Sequence, residues 1–365
     1  MLKTSVLPVR DALRAQGLLK PNEPYAIGLR LSALSAKELL EGGSLLDFKQ
    51  WLEDEQCYVF TINGFPYGQF HSTRVKEDVY RPDWQTRERV EYTSQLFEII
   101  GQLVPEGVAG SVSTSPASCK GFEVNLDPIL DHYAEVAQVI EVAALKYDRD
   151  LHLGIEPEPY CYLETTPETV AFFEQLRAKF PDLSEVIARR IGVNYDTCHM
   201  AIQYERASES LAAFQTAGIR LSKLHLSNAP TLSPKKVDEL EIIRGFDEPT
   251  YLHQVHAKTS SGEILRYKDL PDALACDRAV EAEEWRVHFH IPLYANEGQL
   301  LGSTSEHLAE ALAFLNQYPK ACEHLEMETY TWGVMPEHLA ESLTSQIVGE
   351  YRWVLNEREK ATEGA

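Results

Sequence analysis

The sequence has no apolar run of the ~18 residues that a membrane-spanning helix needs. Its opening stretch, MLKTSVLPVRDALRAQG, lacks the continuous hydrophobic region and the small-residue cleavage site of a secretory signal peptide. These two absences predict a soluble, cytoplasmic protein that has no membrane partner.

Paired cysteines and an excess of basic charge are missing as well. The 6 cysteines are scattered singly, without a CxxC pair, which argues against a zinc knuckle and against a disulfide framework. With 56 acidic and 34 basic residues the formal net charge is −22, and a field of this sign repels a phosphate backbone. We therefore expect no nucleic-acid partner. A local metal site, which is positively charged, could still bind a small anion.

Short β-prone runs alternate with amphipathic helical stretches along the whole chain. This alternation is typical of parallel strands joined by crossover helices. The eight predicted strands cover residues 25–32, 57–64, 110–116, 151–159, 191–199, 221–228, 285–293 and 322–330. Without a Pro/Gly/Ser-rich linker, they predict one α/β domain over residues 1–365, folded as a (β/α)8 TIM barrel. The polar segment 229–284 is expected to be an elaborated loop region over one end of the barrel.

Ionisable side chains cluster at the ends of several predicted strands. They are Glu156 and Glu158 in GIEPEPY, Asp196 and His199 in NYDTCH, His225 in KLHLSN, and Glu326 and Glu328 in LEMETY. The carboxyl ends of barrel strands form the active-site mouth, so we expect these groups to converge there. Carboxylates mixed with imidazoles suit a divalent ion such as Mn²⁺, Mg²⁺, Fe²⁺, Co²⁺ or Zn²⁺, among which the sequence does not choose.

Strand parity narrows the choice of ligands. Glu326 and Glu328 share one face of the last strand, and Glu328 lies nearer the mouth. Glu156 follows an apolar run directly and precedes Pro157, which stops regular pairing, so Glu156 is the better ligand and Glu158 the better outer group. A single buried Asp or His is more often a hydrogen-bonded structural residue than a ligand. Several of them at successive strand ends favour a shared cation.

Two histidine pairs further along the chain receive different predictions. His288 and His290, in VHFHIP, are either substrate contacts at the mouth or part of an ordinary half-polar strand. His253 and His256, in YLHQVHAK, are predicted to lie on a solvated helix face.

At these residues the sequence resembles the xylose-isomerase-like TIM-barrel superfamily, which includes sugar isomerases, ketose 3-epimerases and endonuclease IV. Its shared motifs are a Glu after one strand, Asp-x-x-His after the next, a His or Asp after the next and a Glu on the last strand. They match Glu156, Asp196 with His199, His225 and Glu328. The resemblance implies a xylose-isomerase-like barrel that holds a divalent metal ion with Glu156, Asp196, His225 and Glu328.

A narrower resemblance covers most of the chain. The phrases GLRLS, FTINGFPYGQFH, VKEDVYRPDW, IEPEP, HFHIPLY and LEMETYTWGVMP are similar to the EboE-type metabolite traffic proteins, which are encoded with other enzymes in biosynthetic clusters. One phrase of that family, Cys-Thr-Asn-x-His-Pro-Gly on an additional N-terminal strand, has no match in this sequence. Either the chain begins late or its barrel has a strand count other than eight.

The superfamily resemblance implies a metal-dependent isomerase or epimerase that works on a sugar- or polyol-like metabolite through an enediolate. In such an enzyme Glu156 and Glu328 would shuttle the proton of the substrate carbon, and His199 would steady a substrate oxygen. Other side chains are expected to contact the substrate or exclude water from it. They are Asn63, Tyr67, Phe70, Glu158, His288, His290 and Trp332.

Two other functions stay open. A non-catalytic metabolite-binding or traffic protein on the same barrel would keep the ion without exchanging substrate C–H bonds. A phosphodiesterase like endonuclease IV would need a trinuclear zinc cluster, and the strongly acidic balance argues against DNA as its substrate.

Overall fold

The computed structural model describes residues 2–68, 76–295, 301–329 and 342–363. In chain order its elements are α1 (Leu2–Ala15), β1 (Tyr25–Arg30), α2 (Ala33–Leu40), α3 (Ser44–Asp54), β2 (Cys57–Asn63), α4 (Arg87–Leu103), β3 (Gly110–Thr114), α5 (Leu126–Tyr147), β4 (Leu151–Ile155), α6 (Thr166–Lys179), α7 (Ser184–Arg190), β5 (Ile191–Asp196), α8 (Thr197–Ile202), α9 (Ala207–Thr216), β6 (Arg220–Leu226), β7 (Pro230–Leu232), α10 (Val237–Arg244), β8 (Val255–Lys258), β9 (Ile264–Tyr267), α11 (Leu270–Leu274), α12 (Asp277–Val280), β10 (Glu284–Val287), β11 (Gly302–Ser303), α13 (Ser305–Gln317), β12 (Leu325–Met327) and α14 (Leu343–Glu363). Two 3₁₀ turns cover Lys76–Tyr80 and Pro181–Leu183. No helix within these described ranges is both long and apolar enough to cross a membrane.

Seven parallel strands form the main sheet, in the order β1-β2-β3-β4-β5-β6-β12. Every residue of β3, β4 and β5 is buried, as expected for parallel strands covered on both faces. The sheet curls so that the ends of the first and last strands meet, and Arg30 of β1 forms an ion pair with Glu328 just after β12. The predicted TIM-barrel architecture is therefore present as a nearly closed parallel barrel.

The core lies between this sheet and the helices around it. Helix α5 turns a stripe of apolar residues toward the sheet, including Ile129, Tyr133, Val136 and Ile140, at the spacing that an amphipathic helix requires. Tyr133 stacks on Trp84 with ring centroids 4.0 Å apart. This contact packs the loop that carries Trp84 against α5.

The predicted strand at 285–293 does not belong to the barrel, and that part of the prediction is wrong. Its ordered part, β10, pairs antiparallel with β7 and β8 in a second sheet of order β11-β7-β10-β8-β9. Strand β12 instead pairs directly with β6. The pattern of Trp285 and Val287 does specify a strand, but it carries no information on which sheet accepts that strand.

The segment 229–284, expected to be an elaborated loop region, contains β7 to β9, helices α10 to α12 and the first residue of β10. It shares a separate hydrophobic cluster with the residues that follow, built around Phe246, Trp285 and Phe289. His253 and His256 are buried there, and His256 lies in β8. The prediction of a solvated helix face for this pair is therefore wrong, because the second sheet covers it.

Candidate active site

The carboxyl ends of four barrel strands bring the predicted metal ligands together. Glu156 follows β4, Asp196 ends β5, His225 lies near the end of β6 and Glu328 follows β12. Strand register sets Asp196 beside His225 and His225 beside Glu326. One potential ligand atom from each of Glu156, Asp196, His225 and Glu328 lies within 4.8 Å of the other three. We call these four residues the metal cluster.

Three buried carboxylates of the metal cluster share the imidazole of His225. Oε2 of Glu156 has no hydrogen-bond partner among the described residues, and Oδ2 of Asp196 and Oε2 of Glu328 both turn toward Nδ1 of His225. Nδ1 of His225 lies 3.0 Å from Oε1 of Glu156 and 3.6 Å from Oδ2 of Asp196, and it also contacts Oε2 of Glu328. A single N–H cannot satisfy three carboxylates, and buried charges without partners are costly. The donor set fits a divalent cation, which accepts several oxygens and an imidazole nitrogen at once.

The second oxygen of two of these carboxylates is firmly held. Oδ1 of Asp196 accepts a hydrogen bond from Oγ of Ser227 at 2.6 Å and caps the first turn of α8. Oε1 of Glu328 accepts hydrogen bonds from Arg30 at 3.1 Å and from Asn63 at 3.0 Å. Each carboxylate is thus fixed through one oxygen while the other faces the cluster.

Charges within the cluster outweigh the effect of burial on its ionisation. Burial favours a neutral Asp196, yet the nearby imidazole of His199 helps to hold the pKa of Asp196 well below its usual value. Burial also opposes the charge of His225, but Glu328 and Glu156 raise the pKa of its imidazole well above its ordinary value. The positive imidazolium balances part of the carboxylate charge, a role that a bound divalent cation would take over.

A cavity opens at the metal cluster, and the space between its walls comes to about 560 Å³ when the open solvent at its mouth is included. Its walls include the predicted residues Asn63, Glu158, His199, His288 and His290. They also include Arg30, Lys76 and Tyr80, which the sequence did not single out.

One predicted wall residue does not line the cavity, and two others lie outside the described residues. Tyr67 packs against Tyr92 instead, with ring centroids 5.3 Å apart, because its ring joins the core around α4. Phe70 and Trp332 lie outside the described residues.

The protonation of His288 follows from its neighbours. Nε2 of Gln254 lies 3.3 Å from the carbonyl oxygen of Pro159, which can only accept, so the amide oxygen of Gln254 faces Nδ1 of His288 at 2.6 Å. Nδ1 therefore carries the hydrogen. Burial keeps the pKa of His288 well below its ordinary value, so the ring is neutral and its buried Nε2 offers a lone pair.

His290 has the same arrangement, since its Nδ1 lies in hydrogen-bond contact with the carbonyl oxygen of Glu328. Burial lowers the pKa of His290 too. The neutral imidazole of His288 is suited to accept a hydrogen bond from a hydroxyl group of a ligand.

Glu158 is the outer carboxylate of this site. Burial raises its pKa to about 8, and the hydroxyl of Tyr80 donates to its Oε1 at 3.0 Å. Glu158, His199 and His288 also form a group whose potential ligand atoms lie within 4.8 Å of one another. Glu158 lines the cavity outside the metal cluster, and its outer role stays a prediction.

Sequence reasoning missed several residues that shape the site. Arg30 lies in the predicted strand 25–32 and is the last residue of the observed β1, so its place near a strand end was the available signal for it. Lys223 and Glu326 lie in predicted strands, and Glu326 was set aside in favour of Glu328. Gln254, which orients His288, carries no recognisable sequence signal.

The comparisons with known proteins concern the fold. No protein-family model matches the sequence, and no curated protein sequence matches it significantly. Among solved structures, the chain is similar to the IOLI protein with a binding zinc atom, at 12% identity and a TM-score of 0.50, over 98% of this chain and 94% of that one. It is also similar to L-ribulose 3-epimerase, at 13% identity and a TM-score of 0.51, over 97% and 91% of the two chains. These two similarities show that the chain shares the TIM-barrel fold of both proteins, and the narrower EboE-type resemblance stays a prediction.

Proposed function

We propose that the chain is a divalent-metal-dependent isomerase or epimerase acting on a small sugar- or polyol-like metabolite. The observation that carries this proposal is the convergence of three buried carboxylates, those of Glu156, Asp196 and Glu328, on the single Nδ1 of His225 next to a cavity. The two similar structures support this kind of chemistry, since one is named for a bound zinc atom and the other for the epimerisation of L-ribulose.

Glu156, Asp196, His225 and Glu328 would hold the cation. A divalent ion held there would stabilise negative charge on adjacent carbonyl and hydroxyl oxygens of a substrate. The mixed set of oxygen and nitrogen donors is compatible with Mn²⁺, Mg²⁺, Fe²⁺, Co²⁺ or Zn²⁺.

Two carboxylates of the chain would move the proton. Loss of a proton from the carbon next to a carbonyl gives an enediolate, and its return on the opposite face inverts that carbon. Glu156 after β4 and Glu328 after β12 approach the cavity from different strands, so one can accept the proton while the other returns one. Arg30 and Asn63 hold Oε1 of Glu328 and so keep that carboxylate in place.

The remaining wall residues would orient the substrate. His288 presents an acceptor nitrogen to hydroxyl groups, His290 lines the same cavity, and His199 would steady a further substrate oxygen. Phe65 and Leu252 add apolar surface to the cavity, which favours the exclusion of water.

Metal analysis of protein purified without chelators, together with NMR deuterium exchange on a panel of ketoses and polyol-type metabolites, tests the proposal. We expect a divalent ion at the metal cluster and exchange of one substrate C–H with deuterated water. Ion binding without any exchange would favour the metabolite-binding alternative. Three ions per chain with phosphodiester cleavage would favour the alternative that resembles endonuclease IV.

A further inference from the structure

A second ion pair is buried in the barrel beside the metal cluster. The side chain of Lys223 in β6 is only 1% exposed, and its Nζ donates to Oε2 of Glu326 at 2.6 Å and to Oγ of Ser113 at 3.3 Å. The same Oε2 lies 3.1 Å from Nε2 of His225. An ionised carboxylate can only accept hydrogen bonds, so Nε2 of His225 carries a hydrogen and donates it to Glu326.

Glu326 fits in its position because residue 28 in β1 is a glycine, which has no side chain. A Cβ on Gly28 would lie 1.8 Å from Oε1 of Glu326, far inside contact distance. The glutamate therefore occupies space that any other residue at position 28 would fill. Strands β1, β6 and β12 together fix this one carboxylate.

This arrangement decides which nitrogen of His225 can bind a cation. A metal-bound histidine is neutral, and with its hydrogen on Nε2 the lone pair is on Nδ1. Nδ1 is the atom that faces Glu156, Asp196 and Glu328.

We infer that Glu326, held by Lys223 and accommodated by Gly28, is a positioning residue that sets the ring orientation and tautomer of His225 for cation binding. The inference rests on the proposed function, since it presumes that the metal cluster binds a cation. Carboxylates that accept the second N–H of a metal-bound histidine fix its tautomer and raise its basicity, and their loss typically costs about 10- to 100-fold in metal affinity.

The first test removes the ion pair as a unit. The double variant Lys223→Met/Glu326→Met leaves no unpaired buried charge, and replacing a buried pair by apolar residues of similar volume is often tolerated. Calorimetric titration with Mn²⁺ should show affinity about 10- to 100-fold weaker than in the wild type. The visible absorption of bound Co²⁺ should also change, because His225 is no longer held. Unchanged affinity together with an unchanged spectrum would overturn the inference.

The second test displaces Glu326 without altering any charge. Gly28→Ala should weaken Mn²⁺ binding in the same direction. The matched control is Gly110→Ala in β3, where a Cβ would lie 2.8 Å from Cδ2 of Leu151 and so crowds an apolar contact only. Gly110→Ala should bind Mn²⁺ like the wild type.

The outcomes separate the two proposals. Equal losses in the two alanine variants would mean general strain and would overturn the positioning role of Glu326. A wild-type protein that binds no divalent cation would refute both the proposed function and this inference. Equally tight Mn²⁺ binding by the wild type and by every variant would refute only the inference about Glu326.

Discussion

Arg30, the last residue of β1, forms an ion pair with Glu328, the first residue after β12, with 3.1 Å between Nη2 and Oε1. In the described part of the chain no backbone ladder joins these two strands, which are the two ends of the main sheet. Side chains therefore span the seam of the barrel. One of them also belongs to the metal cluster.

Glu328→Gln should lower metal occupancy and abolish C–H exchange with little loss of folding. The amide keeps an oxygen for Arg30 and Asn63, but it replaces the anionic Oε2 by an NH₂ group that cannot bind a cation. Metal analysis, deuterium exchange and thermal unfolding provide the measurements. Glu323→Gln, at an exposed glutamate shortly before β12, is the matched control. Metal content and exchange like those of the wild type would remove Glu328 from the mechanism.

His288→Phe should weaken substrate binding about fivefold, since it removes one acceptor worth about 1 kcal/mol, while cation affinity stays unchanged. The ring volume is nearly kept, so the cavity should retain its shape. Titration with a ketose that shows exchange, followed by calorimetry with Mn²⁺, measures the two effects separately. A fall in the number of bound ions would instead assign His288, with Glu158 and His199, to a second cation.

Arg89→Met should destabilise the folded chain by about 3 kcal/mol or more. The buried guanidinium donates to the carbonyl oxygens of Pro82 at 2.8 Å, Gly64 at 3.0 Å and Phe65 at 2.9 Å, and all three would lose a partner. Urea unfolding measures the change. Arg87→Met, two residues earlier and engaged in a surface ion pair, should change stability little. Equal effects of the two substitutions would show that the hydrogen bonds of Arg89 to these three carbonyl oxygens do not stabilise the fold.

Glu350 should make stability depend on pH. Its Oε1 accepts hydrogen bonds from Thr329 at 2.6 Å and from the backbone N–H of Leu293 at 3.3 Å, and burial raises its pKa to about 8 from an ordinary value of 4.5. Between these values the folded chain keeps a proton that the unfolded chain has released. The free energy of unfolding therefore falls as pH rises through this window.

Glu350→Gln keeps the acceptor oxygen and removes the titration. The loss of stability between about pH 5 and pH 8 should shrink by on the order of a few kcal/mol. Part of the slope should remain, because burial raises the pKa of Glu158 in the same direction. Urea unfolding at several pH values checks this, and an unchanged slope would show that Glu350 does not titrate in this window.

Sequence spacing was sufficient to predict that the metal cluster assembles. Glu156, Asp196, His225 and Glu328 each stand at the carboxyl end of a strand-like run, and parallel strands present those ends at one rim. The spacing could not predict the partners of β10, because the pattern of Trp285 is compatible with either sheet. Nor could it predict the burial of His256, which depends on a sheet assembled from distant segments.

The role of Glu326 shows a different limit. Parity places Glu326 and Glu328 on one face of a strand, but only the structure shows that Gly28 leaves room for Glu326 and that Lys223 reaches it. Such relationships depend on three strands that are far apart in sequence.

The seam of the barrel has a mechanical consequence. Oε1 of Glu328 accepts a hydrogen bond from Arg30 and so links the last strand of the barrel to the first, while Oε2 faces the metal cluster. One carboxylate therefore serves both the seam and the candidate cation site. Cation binding near Oε2 and the ion pair between Oε1 and Arg30 are therefore thermodynamically linked. A cation that binds the metal cluster would therefore stabilise the contact between β1 and β12, and its loss would weaken the barrel at the place where the described residues form no backbone ladder.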